Sequence, residues 1–368
     1  MNVLDLTESN PTRCAFRFYA KEKLVDLSDP KNLVYEPDPR GLREAREAVC
    51  RYYAEKKMTV VPEQIFLTSS TSEAYGFLFR LLADPGDEIL CAEPSYPLFE
   101  TLAELNDVRL KKFSLVYHDS WRMDQVSLER LFTARTKALM VVHPNNPTGH
   151  FVTGQERGIL QSRCVQNGCA LIVDEVFLDY AWGLDREEPS FAGQTDVLTF
   201  TLSGISKLLG LPQMKLSWIV VSGPESQRME ALEKLELISD AHLSVNTPSQ
   251  RALPGWMNGR QAVLDEIRMR LRSNFQFLEN TFRDHRASRL LKTEGGWYAV
   301  LKNTAGLGDE AFTVELLRKK NVLLHPGFFF DFPEDDHWVL SLLTEPSVFR
   351  EGVQRLGEYA AGDYNKVK

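Results

Sequence analysis

The sequence has no long hydrophobic run: no stretch approaches the ~18–20 consecutive apolar residues that cross a bilayer. Its first ten residues, Met-Asn-Val-Leu-Asp-Leu-Thr-Glu-Ser-Asn, lack the basic-then-apolar order of a secretory signal. It has no block of one charge either. The 43 basic and 51 acidic residues leave a net −8 spread along the chain, with no electrostatic footprint for nucleic acid or an anionic membrane. Cysteine is scarce, and its count of five is odd. Cys164 and Cys169 have no second pair or nearby histidine to complete a zinc site, and the seven histidines are scattered. These absences predict a cytoplasmic protein with reduced thiols and no metal. Internal repeats and low-complexity linkers are also missing. What remains is 368 residues of ordinary globular composition, 43% hydrophobic and 26% charged, enough for one large domain or two.

Residues 1–40 are broken by Pro11, Pro30, Pro37 and Pro39 and read as an irregular arm anchored by Phe16, Phe18 and Tyr19. A regular alternation follows. Strands are expected at 64–68, 88–92, 109–114, 138–143, 170–173, 197–202 and 216–221. Helices are expected at 41–57, from 69 to 82, up to about 105, near 127–133 and at 153–167. Strands separated by helices of this length predict βαβ units, hence an α/β fold with a mainly parallel sheet sandwiched by helices. From about Pro224 the pattern turns helical, with a long stretch at 259–284. Beyond Arg286, strands at 297–301, 322–324 and 338–342 and helices near 310–319 and 346–359 predict a smaller α+β domain. The expected division is 46–284 for the large domain and 1–45 plus 285–368 for the small one.

Several strand ends carry residues suited to chemistry. Lys207 follows a β-branched strand and sits among Leu202, Ile205, Leu208 and Leu209, where lost solvation lowers an amine's pKa and makes it nucleophilic. Asp174 ends the run Ala-Leu-Ile-Val; a carboxylate there is costly without a cationic partner, though it could also cap the next turn. Ser70, Thr71 and Ser72 open a helix, where free N–H groups and hydroxyls bind phosphate or simply cap. Asn146 offers an amide at another strand end, and Tyr96, between two prolines, a flat ring.

The stretches Glu93-Pro94-Ser95-Tyr96-Pro97, Asn145-Asn146-Pro147-Thr148-Gly149, Asp174-Glu175 and Ser206-Lys207…Gly210-Leu211-Pro212, in this order, resemble the class I/II aminotransferases, fold-type I enzymes that use pyridoxal 5′-phosphate (PLP). The resemblance runs from Tyr35 to about Phe349. It implies a seven-stranded-type large-domain sheet and an enzyme moving an amino group between an amino acid and a 2-oxo acid. Lys207 would carry PLP as a Schiff base and move the proton at Cα. Asp174 would pair with the pyridine nitrogen, Tyr96 and Val176 would flank the ring, and Asn146 would donate to its hydroxyl. Ser70, Thr71, Ser72 and Lys215 would hold the phosphate. Tyr35 matches a tyrosine that reaches a neighbouring subunit's phosphate, which implies a homodimer.

The sequence departs from the family pattern at four places. Phe177 stands where a tyrosine usually donates to the ring hydroxyl. Lys215 replaces a common arginine and loses its bidentate fork. Gly204 replaces a Ser/Thr phosphate ligand, for which Ser203 or Ser206 could substitute. Val339 stands where an arginine usually grips the substrate carboxylate. Arg13 is the first candidate to replace that arginine, ahead of Arg40 and His325. The aromatic run Gly327-Phe328-Phe329-Phe330-Asp331-Phe332, with Trp297 and Tyr298, reads as an apolar pocket side or as small-domain core. A lost clamp also leaves open a PLP-dependent lyase, decarboxylase or oxidase, and beyond those a non-catalytic PLP-binding regulatory domain.

Overall fold

A computed structural model describes residues 3–18, 26–182, 190–304 and 308–363. An eight-stranded sheet lies at its centre, in the order Ile65–Thr68, Ser217–Ser222, Thr199–Gly204, Ala170–Asp174, Thr136–Val142, Glu88–Glu93, Arg109–Tyr117 and Trp121–Met123. The pairings from Thr199–Gly204 through to Arg109–Tyr117 are all parallel. Ser217–Ser222 runs antiparallel to both its neighbours, and Trp121–Met123 closes a hairpin on the far edge. The expected mainly parallel sheet is therefore present, with one extra edge strand. That hairpin also carries the strand expected at 109–114 on to Tyr117. The helix expected near 127–133 starts earlier, at Gln125, because the Asp124 side chain accepts the Val126 N–H (3.0 Å) and caps it there.

The central strands are buried on both faces, which is why they read as unbroken apolar runs rather than alternating ones. Successive side chains nevertheless point to opposite sides. Ala138, Met140, Ala170 and Ile172 enter one core with Tyr75, Phe77 and Leu78 of the helix Thr71–Leu82. Leu139, Val141, Leu171 and Val173 enter the other, which Leu160 and Cys164 of the helix Gly154–Asn167 cover. This parity decides where the next residue, Asp174, points.

The smaller sheet is antiparallel throughout, in the order Ser288–Leu290, Tyr298–Asn303, His337–Ser341, His325–Pro326. Asp309–Lys320 and Pro346–Glu358 are its helices, and the 23-residue helix Arg260–Phe282 leads into it. The arm joins this part of the molecule. Leu4–Asp5 pairs in parallel with Val322–Leu323, Ser341 N–H donates to the Leu6 carbonyl (2.8 Å), and Ser341 Oγ donates to the Glu8 carbonyl (2.6 Å). Phe16 is buried beneath the Arg270 guanidinium (4.7 Å) and stacks on Phe18; Tyr19 lies outside the described residues. All five cysteines are free thiols. Among the described residues no helix is long and apolar enough to cross a membrane.

Two loops meet tightly where the parts join. Gly149 has φ +70°, and a side chain there would overlap Thr293 Oγ1 and the Gly295 carbonyl. Only glycine lets the Asn146 loop lie against the turn preceding Trp297. Gly149→Ala is therefore expected to cost roughly 2–3 kcal/mol through overpacking and backbone strain. Urea unfolding of the apoprotein checks this, and an unchanged midpoint would refute the close approach.

Candidate active site

Asp174 continues the even-numbered parity of its strand, so it faces the helix Thr71–Leu82. Tyr75 on that helix donates its hydroxyl to Asp174 Oδ2 (2.8 Å), and the Val176 N–H donates to Oδ1 (3.0 Å). Burial pushes the carboxyl up to about 6, against the pull of those two donors and of the Lys207 charge.

Lys207 lies in the single helical turn Ile205–Leu208 that follows Thr199–Gly204. Ile205, Leu208 and Leu209 beside it are buried, and burial brings the half-buried amine down to about 8, opposed by the negative charge of Asp174. The two groups influence each other but make no ion pair. The amine instead points at two ring faces, with Nζ 4.7 Å from the Trp297 centroid and 5.6 Å from that of Phe177. Tyr180 Oη donates to the Lys207 carbonyl (2.7 Å) and fixes the turn.

The other expected residues have surroundings of their own. Asn146 is buried, and its Oδ1 has no hydrogen-bond partner. Tyr96 packs edge-on against Phe99, which packs against Tyr75 (ring centroids 5.5 and 5.1 Å apart), so Tyr96 belongs to the Asp174 neighbourhood. Val176 is half-buried next to the carboxylate it binds. Ser70 caps the helix Thr71–Leu82, its hydroxyl accepting the Glu73 N–H (3.1 Å), so it is already committed. The hydroxyls and N–H groups of Thr71 and Ser72 remain. Lys215 is exposed in a left-handed conformation (φ +51°), on the chain that pairs back through Leu216 O to Ile205 N–H (3.1 Å). Tyr35 is 78% exposed in the surface segment Leu33-Val34-Tyr35.

The structure gives physical reasons for two departures. A side chain at Gly204 would overlap the hydroxyl of Ser217 on the adjacent strand, so Ser217 fills the space a Ser/Thr at 204 would take. Val339 is fully buried. It pairs with Val300 on one side and His325 on the other, and it sits in an apolar cluster with Phe330 and Phe332. Of the three candidate cations, Arg40 is bound twice to Glu236 (2.9 and 2.5 Å) and once to the Glu63 carbonyl (2.7 Å). Burial holds the His325 imidazole below its usual value despite Asp5. Arg13 is exposed and uncommitted among the described residues.

Tyr75, Tyr180 and Ser217 were not legible as site residues in the sequence; Trp297 was, as a candidate apolar pocket side, but not as a neighbour of the Lys207 amine. Tyr75 had a usable signal, since it lies one helical turn after Thr71.

The chain matches the family model for aminotransferase class I and II over residues 2–340. It belongs to the class I and II aminotransferases. It is 26% identical over 372 residues to the glutamate-pyruvate aminotransferase AlaA of Escherichia coli K12, covering 98% of this chain and 91% of that enzyme. It is 25% identical over 336 residues to an alanine aminotransferase of Mycobacterium tuberculosis, covering 88% and 77%. In fold it is similar to an alanine aminotransferase from Pyrococcus furiosus, with TM-score 0.89, 24% identity and coverage of 98% and 92%. These aminotransferases are PLP-dependent enzymes. The residues of this chain fit that group in their chemistry: an amine and a buried carboxylate that feel each other's charge, a buried amide oxygen without a partner, and a helix N-terminus.

Asp174 makes stability depend on pH in a defined direction. Its folded value, about 6, exceeds the unfolded one near 4, so the folded apoenzyme binds the extra proton between those values. The stability this group contributes is then fully present below about pH 4 and is lost as pH rises through about 6. Relative to Asp174→Asn, the wild-type apoenzyme is expected to lose roughly 2–3 kcal/mol across that window. Urea titrations at several pH values test this, and parallel profiles would refute it.

Proposed function

We propose that this aminotransferase holds PLP covalently on Lys207 and passes an amino group between an amino acid and a 2-oxo acid in two half-reactions. The observation that carries the reading is a buried Asp174 with no cationic partner in contact, close enough to feel the charge of a lysine whose amine burial has brought down to about 8. Bound there, PLP supplies an electron sink for the pair released when a bond at the substrate Cα breaks. Asp174 would pair with the ring nitrogen and help keep it protonated, and an opposite charge beside the carboxylate would offset its burial penalty. Asn146 binds the ring hydroxyl alone, because the phenyl ring of Phe177 offers no donor. Tyr96 and Val176 confine the ring. The first turn of Thr71–Leu82, with Lys215, receives the phosphate. Lys207 would hold the cofactor, and its Nζ would serve as the general base for the Cα proton.

Residues 46–284 serve as the cofactor domain, and 1–45 with 285–368 as the smaller domain. The exposed Leu33-Val34-Tyr35 segment supports a homodimer in which Tyr35 reaches the neighbouring phosphate. Arg13 binds the substrate α-carboxylate, since Val339 carries no charge and the arm holding Arg13 is fastened at Ser341. The names of the relatives make L-alanine and L-glutamate the first donors to try. Burial of Val339 also supports a second reading, in which a different bond at Cα breaks because the usual clamp is gone.

A panel of amino acids, scored for conversion of the visible band to the pyridoxamine form, tests the first reading. Release of CO2, ammonia or peroxide without that form would favour the second. Lys207→Ala is expected to abolish the borohydride-sensitive visible band altogether. Arg13→Ala is expected to lower kcat/KM for the amino donor by about 10- to 100-fold, the range of a lost charged hydrogen bond. Unchanged kinetics would remove Arg13 from the site.

A further inference from the structure

Lys207 faces two opposed demands. A nucleophile must be neutral, whereas a group that shuttles a proton must hold one near neutral pH. Burial pushes only toward the neutral form. Asp174 acts on the amine from a distance, and among the described residues no carboxylate makes an ion pair with Nζ. Tyr180, on the adjoining turn, has spent its hydroxyl on the lysine's own carbonyl. The groups against the amine itself are aromatic faces.

Trp297 and Phe177 meet nearly edge to face, with centroids 5.5 Å apart and planes at 68°, and the amine sits against both. Trp297 is fully buried and held in three ways. Its carbonyl accepts the Leu342 N–H (2.8 Å), Tyr180 packs against it (5.2 Å, 70°), and Phe177 braces its other side. Such a ring cannot turn away without disturbing the small-domain sheet. Its negative face attracts a cation and is indifferent to a neutral amine, and indole does this best of the aromatic side chains. Because the site is partly dry, the attraction is stronger than at a surface.

We propose that Trp297, braced by Phe177, is the positioning residue that retains the protonated ε-ammonium of Lys207 whenever its nitrogen is free of cofactor. The proposal rests on Lys207 being the cofactor lysine. It assigns Trp297 no contact with substrate. The ring keeps the freed nitrogen close to where it was displaced and slows its loss of the proton. It thereby offsets part of the burial effect that would otherwise leave the amine neutral across the physiological range.

The test uses apoenzyme and pyridoxal, which lacks the phosphate and so does not depend on the phosphate cradle. Only the neutral amine attacks the aldehyde carbon, forming the C–N bond and expelling water, so the capture rate against pH reports the proton affinity of the amine. Wild type is expected to reach half its maximal rate near pH 8. Trp297→Leu keeps the site apolar but removes the ring face. Its midpoint is expected to fall by about half a unit to one and a half units. A one-unit fall makes capture at pH 7 about fivefold faster. Trp297→Phe should restore most of the shift, and Phe177→Leu should produce a smaller one of the same sign. A Trp297→Leu profile that coincides with wild type, or moves upward, overturns the proposal. If that variant does not fold, coincidence of the Phe177→Leu profile with wild type overturns it equally. Borohydride trapping and peptide mapping separate the two levels: a label on another lysine, or undiminished capture by Lys207→Ala, sinks the underlying assignment instead.

Discussion

One buried carboxylate and one buried amine, set near each other but not in contact, are the constraint on which the rest of this site depends. For both groups desolvation outweighs every other influence, drawing Asp174 up to about 6 and Lys207 down to about 8. Had they met as an ion pair, each would have restored the other's charge and the amine would be locked as ammonium. Keeping them apart leaves both incomplete. The fold then stabilises each with groups that do not neutralise it: a tyrosine hydroxyl and a backbone N–H for the carboxylate, ring faces for the amine. A site poised in this way is completed by a third body that is positive toward Asp174 and electrophilic toward Lys207.

How much of this was legible follows from the periodicities. The central strands are buried on both sides, so they announce themselves as apolar runs, and a charged residue at the end of such a run stands out. Asp174, Lys207 and Asn146 were visible for that reason. Tyr75 was not, because an aromatic residue on the inner face of a helix looks like any other core residue; only the parity of Ala170–Asp174 shows that it meets a carboxylate. Trp297 was legible only as an apolar ring of the pocket or core; its nearness to Lys207 depends on how the small sheet docks on the large one. Ser217 stands in for Gly204 through the register of two antiparallel strands, which no local pattern encodes. The strands Ser288–Leu290 and His325–Pro326 are simply too short for a period to register.

The position of Val339 shows how a lost charge is accommodated. Side chains at 337, 339 and 341 share one face of their strand. Val339 contributes there to a dry core with Val300 and Phe330, while the Phe330 carbonyl accepts the N–H of Ser95, beside Tyr96. A guanidinium in that cluster would need a permanent partner or bear a desolvation cost of several kcal/mol. Valine removes the cost and lets the two parts of the molecule pack closely. A carboxylate arriving at the site must then find its cation elsewhere. Ser341, two residues along the same face, binds the arm at Leu6 and Glu8. The strand that lacks the arginine is thus the strand that fastens the segment carrying Arg13. Arg13 in that role would put the positive charge at an exposed position, where water solvates it, rather than in a rigid core. Specificity in such a site would come less from a fixed fork than from how far the arm brings its charge toward Tyr96 and Lys207.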